Sequence, residues 1–417
     1  MSAFKPANIL LPQVKSMEKW AVIACDQYTS QPEYWERVRK NVGDEASTLD
    51  LILPEAEMEE MNKDELETII GNINKTMEDY IESGKFVEYK NSYVYVERTL
   101  LDGSIRKGIV GMVDLEEYDY SDDAATDIRA TESTVEERIP PRMNIRRNAT
   151  LELPHILLLC DDERHMLIES VEAIKDKCSK LYDFDLMENG GHITGWLVEG
   201  DNAVMFGKKI EEYDIFTAEK YKSTGKTPML YAMGDGNHSL ATAKACYEEL
   251  KILNPDKDMS NHPARYALLE LNNIHDEAQQ IEPIHRIVTG VDVDALLETL
   301  NNNIGADEGH LITVCVAGEE RNICLNKDLG ELPIAVLQKF LDEYLSGSSA
   351  KIDYIHGKDV VKELAKKDKA VGFILPGIEK NQLFKGIVMD GVLPRKTFSM
   401  GHAQEKRYYL EGRRITQ

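Results

Sequence analysis

The residues with the densest chemical content lie in one short corner, "MGDGNHS" at 233–239. An apolar run, "TPMLYAM", ends there, and a small-residue helix, "SLATAKACYEELKIL", begins at once. A strand that turns straight into a helix leaves backbone N–H groups unbonded at the helix start. The aligned peptide dipoles add roughly half a positive charge there. Gly234 and Gly236 let an anion approach the main chain closely. Asn237 and Ser239 add polar groups, and His238 can donate to a phosphate oxygen or act as an acid. Asp235 can orient a hydroxyl or ligate a divalent ion such as Mg2+. Asp235 and His238 are therefore catalytic candidates, and Gly236, Asn237 and Ser239 phosphate-binding candidates. The plainer reading is a turn capped by Asn237 or Ser239.

A second group lies upstream. "DIRATESTVEERIPPRMNIRRNATLELPH" (127–155) holds Arg129, Arg138, Arg142, Arg146 and Arg147. Guanidinium forks grip carboxylate or phosphate in pairs of hydrogen bonds, so Arg129, Arg142, Arg146 and Arg147 are candidate anion ligands. Pairing with Glu132, Glu136, Glu137 and Glu152 on a solvated helix face is the alternative. Glu132, between Thr131 and Thr134, is the candidate general base. The basic, aromatic tail "LPRKTFSMGHAQEKRYYLEGRRI" offers Lys396 and His402 as residues that reach back to the anion. The same tail could instead pack as a charged edge against an acidic body.

Two motif look-alikes are set aside. "GDGNHS" is one glycine short of a dinucleotide fingerprint and lacks a clear strand–helix–strand context. "KYKSTGKT" puts Lys220 where a P-loop needs its first glycine, and Pro228 follows where a helix should.

The elements that must position these groups follow from periodicity. Residues 31–42 and 57–84 read as helices, the latter with Leu66, Ile69, Ile70, Ile73 and Met77 on one stripe. "FVEYKNSYVYVERTL" and "IRKGIVGMVDL" alternate like paired strands around an Asp-Gly turn. "HILLLC" is a buried strand, 163–182 is expected to be helical, and "GGHITGWLVEGDNAVMFG" to be a hairpin turning at Gly200-Asp201. From about 290 helices and strands restart. This mixture argues for an α+β fold of mixed sheets with hairpins and packed helices. The expected division is 1–289, carrying the corner, and 290–417, an α/β part whose basic tail returns to the first.

The chain has 417 residues and a formal net charge of −25. A field that negative repels nucleic acid and anionic lipid, so neither is an expected partner. A small phosphate or carboxylate substrate is, and a second copy of the chain is a further candidate. The six cysteines at 25, 160, 178, 246, 315 and 324 form no C-x-x-C pair, and no signal-like or membrane-length apolar run is present. The expected location is cytoplasmic.

"DGNHS" after a strand, "TEST…IRR…ELPH", "PIHRIV", "LPRKTFSMGHA" and an early "LDLILPE" together resemble domain-of-unknown-function family 1015 along nearly the whole chain. That family resembles the ParB/sulfiredoxin-like fold, which includes free serine kinases. There an Asp-Gly-His-His-Arg corner opens a helix and contacts phosphate. Here Asn237 stands for the first imidazole and Ser239 for the arginine. The resemblance implies phosphoryl transfer on a small hydroxy or amino acid, serine or phosphoserine first, with Mg2+ at Asp235 and a nucleotide as candidate cofactors. A non-catalytic sensor of a nucleotide or phosphometabolite is the alternative.

Overall fold

The structure, a computed structural model, describes residues 2–58, 61–134 and 136–416; the side chain of Arg138 lies outside the described residues. Its centre is an eleven-stranded mixed sheet. The middle of that sheet is the antiparallel set His192–Val198, Phe86–Thr99, Ile105–Asp114 and Tyr266–Asn273. Leu157–Cys160 adds in parallel to Tyr266–Asn273, Tyr231–Asp235 adds antiparallel to Leu157–Cys160, and Ile128–Arg129 adds in parallel beyond it.

Both faces of this sheet are covered, which the strand sequences allow because successive side chains point to opposite sides. In Phe86–Thr99, Tyr93 and Tyr95 pack with Phe206, Ile210, Leu240 and Tyr247 of two long helices, Gly200–Lys222 and Asn237–Leu253. Val94 and Val96 face the other way, against Trp20, Trp35, Met77 and the tail residues Tyr408, Tyr409 and Leu410. A five-stranded antiparallel sheet forms the second body, and its strand His285–Thr289 lies on the near side of residue 290. Its core runs continuously into the large sheet through Leu159, Met229 and Ala232. The tail then crosses back: Tyr408 bridges Ile23, Gly412 bridges Leu10, and Arg413–Arg414 pairs with Leu151–Glu152.

Two expectations are corrected. Gly200-Asp201 does not turn a hairpin but opens a helix of 23 residues. Its buried positions Ala203, Phe206, Ile210, Tyr213, Thr217 and Tyr221 step by three and four, a helical period that outweighs the local turn signal. Residues 163–182 are not one helix. They hold the short helix Ile168–Glu172 and most of the strand Ser179–Asp185, which pairs with His192–Val198. Backbone at Glu188, Asn189 and Gly191 with positive φ makes the real hairpin turn. Among the described residues no helix is long and apolar enough to cross a membrane.

Candidate functional site

The corner forms as the sequence suggests. Tyr231–Asp235 ends, Gly236 takes a left-handed φ of 79°, and the 17-residue helix Asn237–Leu253 starts. A Cβ at Gly236 would lie 3.1 Å from the Ile156 backbone, so close approach as well as backbone angle selects glycine. The N-cap is Gly236, which offers no capping side chain, and among the described residues the first turn carries no acid. The positive end of the dipole therefore faces a cavity of about 160 Å3. Asp235 accepts the Gly236 N–H at 2.9 Å through Oδ1 and holds Lys406 Nζ at 3.1 Å through Oδ2. Asp26, Glu132, His238 and Lys406 line the same space. The Asn237 Oδ1 is buried and meets no hydrogen-bond donor among the described residues.

Lys406 reaches the corner because buried arginines fix the backbone around it. Arg98 donates to the carbonyls of Gly190, Gln404, Glu405 and Lys406, and Arg106 donates to that of Glu405. Arg407 next door bonds Glu270 and Glu411, each at 2.7 Å. The two tail readings are thus divided among residues: Lys406 meets the corner, whereas Arg407 and Arg413 tie the tail to buried acids.

Behind the corner runs a hydrogen-bonded row. Ser239 Oγ lies 2.8 Å from His155 Nε2, His155 Nδ1 lies 2.9 Å from the Tyr409 hydroxyl, and that hydroxyl donates to Cys25 Sγ at 3.1 Å. Asp26 Oδ2 is 3.9 Å from His155 Nε2. Burial opposes the charge on Asp26, but His155, the Gln27 amide and Lys406 together hold its carboxyl below the ordinary value. Asp26 is therefore an ionised acceptor facing the cavity. Burial, then the nearby Asp26 charge, pushes the Cys25 thiol up to about 12, so it is not a nucleophile at neutral pH.

The remaining sequence candidates separate. Glu132 lines the cavity, but its oxygens accept the backbone N–H groups of Lys396, Thr397 and Phe398 at 2.9–3.3 Å. Burial raises its carboxyl above the ordinary value against those hydrogen bonds. It pins the returning tail, so its oxygens are engaged by backbone, whereas Asp26 faces the same cavity. Ser239 directs its hydroxyl to His155, and its N–H bonds Gly236 O at 2.9 Å.

Arg129 is turned to the far end of the strand, where it bonds the carbonyls of Thr126, Thr227 and Pro228. Arg142 pairs with Glu55, and Arg146 with Glu152 at 2.5 Å. Both arginines line a separate, mainly apolar cavity behind Ser239 and His155. Arg147 pairs with Glu249, twelve residues and about 18 Å along the helix from its start. The Lys396 ammonium lies 5.5 Å over the Tyr354 ring, and exposed His402 heads a short turn at 403–405. The structure does not bring Arg129, Arg147, Lys396 or His402 side chains to the corner.

Asp26 at the cavity and the His155–Tyr409 pair behind Ser239 are not among the residues the sequence singles out. The available signals were weak: an acid directly after the apolar "AVIAC", and polar groups in "ELPH" and "RYYLE". A Mg2+ ion at Asp235 fits the donor chemistry, since one or two carboxylates and an amide oxygen leave the remaining positions to water and phosphate. Asp26, Asp235 and Asn237 Oδ1 provide that set around one cavity.

A family model described as Protein of unknown function (DUF1015) matches residues 4–370. A search of curated proteins finds no match. Among solved structures, a free serine kinase in complex with AMP is similar at 12% identity and a TM-score of 0.38, covering 72% of this chain and 90% of that one. SbnI with a C-terminal truncation from Staphylococcus aureus gives 13% and 0.35, covering 70% and 82%. A conserved hypothetical protein from Pyrococcus furiosus gives 12% and 0.36, covering 72% and 93%. Likeness at this level carries no functional argument.

Proposed function

This chain belongs to the DUF1015 family, and from that premise we propose that it binds a phosphorylated small hydroxy or amino acid at the Asn237 helix start and transfers the phosphoryl group, with serine and phosphoserine the first candidates. The observation that carries the reading is the convergence of an uncapped helix start, the Lys406 ammonium and the charged Asp26 carboxylate on one cavity. The first two attract phosphoryl oxygens and offset charge that builds on them during transfer. Asp26 accepts the proton of the attacking hydroxyl, that of water on phosphoserine or of serine on a phosphoanhydride, as the new O–P bond forms. The old O–P bond breaks, the departing serine oxygen taking a proton from water and a departing nucleotide or phosphate leaving as its anion. Asp235 orients Lys406 and, with Asp26, would hold Mg2+, which when bound neutralises phosphoryl charge. The cavity volume of about 160 Å3 is below the several hundred of a drug-sized site, which favours a compact phosphorylated acid over a whole nucleotide in this space.

The test is phosphorus NMR of the full chain with Mg2+ and serine plus ATP, ADP or pyrophosphate, and separately with phosphoserine. Product formation that is lost in Asp26→Asn supports transfer. No product in any mixture removes it. A non-catalytic sensor is the second reading, favoured by the engagement of both Asp235 oxygens. Calorimetric binding of phosphoserine without turnover would select it.

A further inference from the structure

Leu157–Cys160 and Tyr266–Asn273 run parallel, with Cys160 beside Asn273, so both chains leave the sheet at the same edge. That register brings Asp161 and Glu163 next to His275. The Asp161 carboxylate is wholly buried, and its Oδ1 lies 2.7 Å from His275 Nε2. Its Oδ2 lies 2.6 Å from Lys220 Nζ and accepts the Tyr221 hydroxyl at 3.2 Å. The same ammonium is 2.9 Å from Glu163 Oε1. One ligand atom from each of Asp161, Glu163 and His275 lies within 4.8 Å of the other two. Two groups bound to one ion at about 2.1 Å stand roughly 3.0–3.4 Å apart, so an ion that enters draws the three side chains inward.

Two further features point to a ligand. Lys220, in the last turn of its helix, places a positive charge between the two carboxylates, which marks where the fold stabilises a cation. Its flexible stem, partly exposed, can withdraw to solvent. Beside Glu163 and His275 opens a cavity of about 670 Å3. Gln279 lines it, is only 4% exposed, and its carboxamide nitrogen meets no acceptor among the described residues. A water or hydroxide bound to an ion in this cavity supplies such an acceptor.

We propose that Asp161, Glu163 and His275 form an exchangeable cation site, filled by the Lys220 ammonium in the metal-free protein and by Mn2+ or Zn2+ when either is bound. The imidazole favours these ions over Mg2+ and Ca2+, and the cavity leaves coordination positions open. On binding, His275 Nε2 releases its proton to water and turns its lone pair to the ion. Asp161 exchanges one cation for another and stays charged. The site is independent of the phosphate corner. Asp235 pairs with Leu157 and Tyr231 with Cys160, so the two sites lie at opposite ends of one strand, about 13 Å apart along it.

The test uses the metal-free full chain carrying Asp235→Ala, so that the corner contributes no ligand. Mn2+ is titrated by EPR, because thiols do not compete for it, and Zn2+ by calorimetry. The expected result is one ion per chain, bound at least tenfold tighter after Lys220→Met removes the competing ammonium. His275→Gln and the exposed-site variant Glu163→Gln each weaken binding at least tenfold while far-UV circular dichroism is unchanged. Absence of Mn2+ and Zn2+ binding at millimolar concentration in both the parent and Lys220→Met overturns the proposal. So does full affinity retained in both His275→Gln and Glu163→Gln.

Discussion

The 234–239 corner and the arginine-bearing helix Ile139–Arg146, with Arg147 after it, carry the same sequence-level promise of anion binding, and the fold treats them oppositely. At the corner the charge is made by backbone: an uncapped helix start over a polar cavity, with one lysine delivered from the tail. On the arginine helix each described guanidinium meets a carboxylate: Arg142 meets Glu55, Arg146 meets Glu152 and Arg147 meets Glu249. The lesson is that a run of arginines in an acidic chain measures the acids that surround it. A helix dipole is fixed by the fold, whereas a side-chain charge is neutralised by whichever acid the fold brings near.

Removing an acid from the arginine side should have the largest effect, and on stability alone. Glu152 accepts both Arg146 and Arg413 in a buried setting. Glu152→Gln leaves those cations under-compensated and should cost about 3–5 kcal/mol in urea unfolding, with phosphate affinity of the folded fraction unchanged. The same carboxylate gives a pH signature. Burial disfavours its charge, but Arg413 and Arg146 hold its carboxyl below the ordinary value. A depressed carboxyl contributes stability that is complete above the unfolded value near 4.3 and lost as pH falls through the folded one. Between pH 5 and 3, Tm should therefore fall more steeply for wild type than for Glu152→Gln.

On the corner side the effects move to binding. Lys406→Met removes one charge-assisted contact and should weaken phosphoserine binding about tenfold to a hundredfold by calorimetry, with Tm nearly unchanged. Gly236→Ala forces a Cβ into left-handed backbone against Ile156, and should cost about 1–2 kcal/mol in urea unfolding while displacing the helix start. The smallest effect belongs to Arg147→Ala. This partly exposed pair should change stability by less than about 1 kcal/mol and leave phosphate affinity alone. A clear loss of phosphate affinity in Arg147→Ala would break the contrast between the two regions.

The corner was legible because its signals are local. An apolar run, two glycines and a small-residue helix specify strand, left-handed turn and helix without knowledge of the remaining fold. The α+β character was legible for the same reason, from changes of period along the chain. What was hidden is non-local. Glu55 stands 87 positions from Arg142, and Glu249 stands 102 from Arg147, so no window on the sequence shows either pair. Asp26, His155 and Tyr409 meet only because the tail crosses back over the large sheet. At Gly200-Asp201 a true local turn signal lost to the helical spacing of the residues after it.

A crystal of the full chain soaked in inorganic phosphate tests the central claim most directly. The account predicts one phosphate in the cavity, within hydrogen-bond distance of the Asn237 backbone N–H and Lys406 Nζ, with Arg142 and Arg146 still on Glu55 and Glu152. Phosphate seated on Arg142 or Arg146 in place of those carboxylates, with the corner empty, would contradict it.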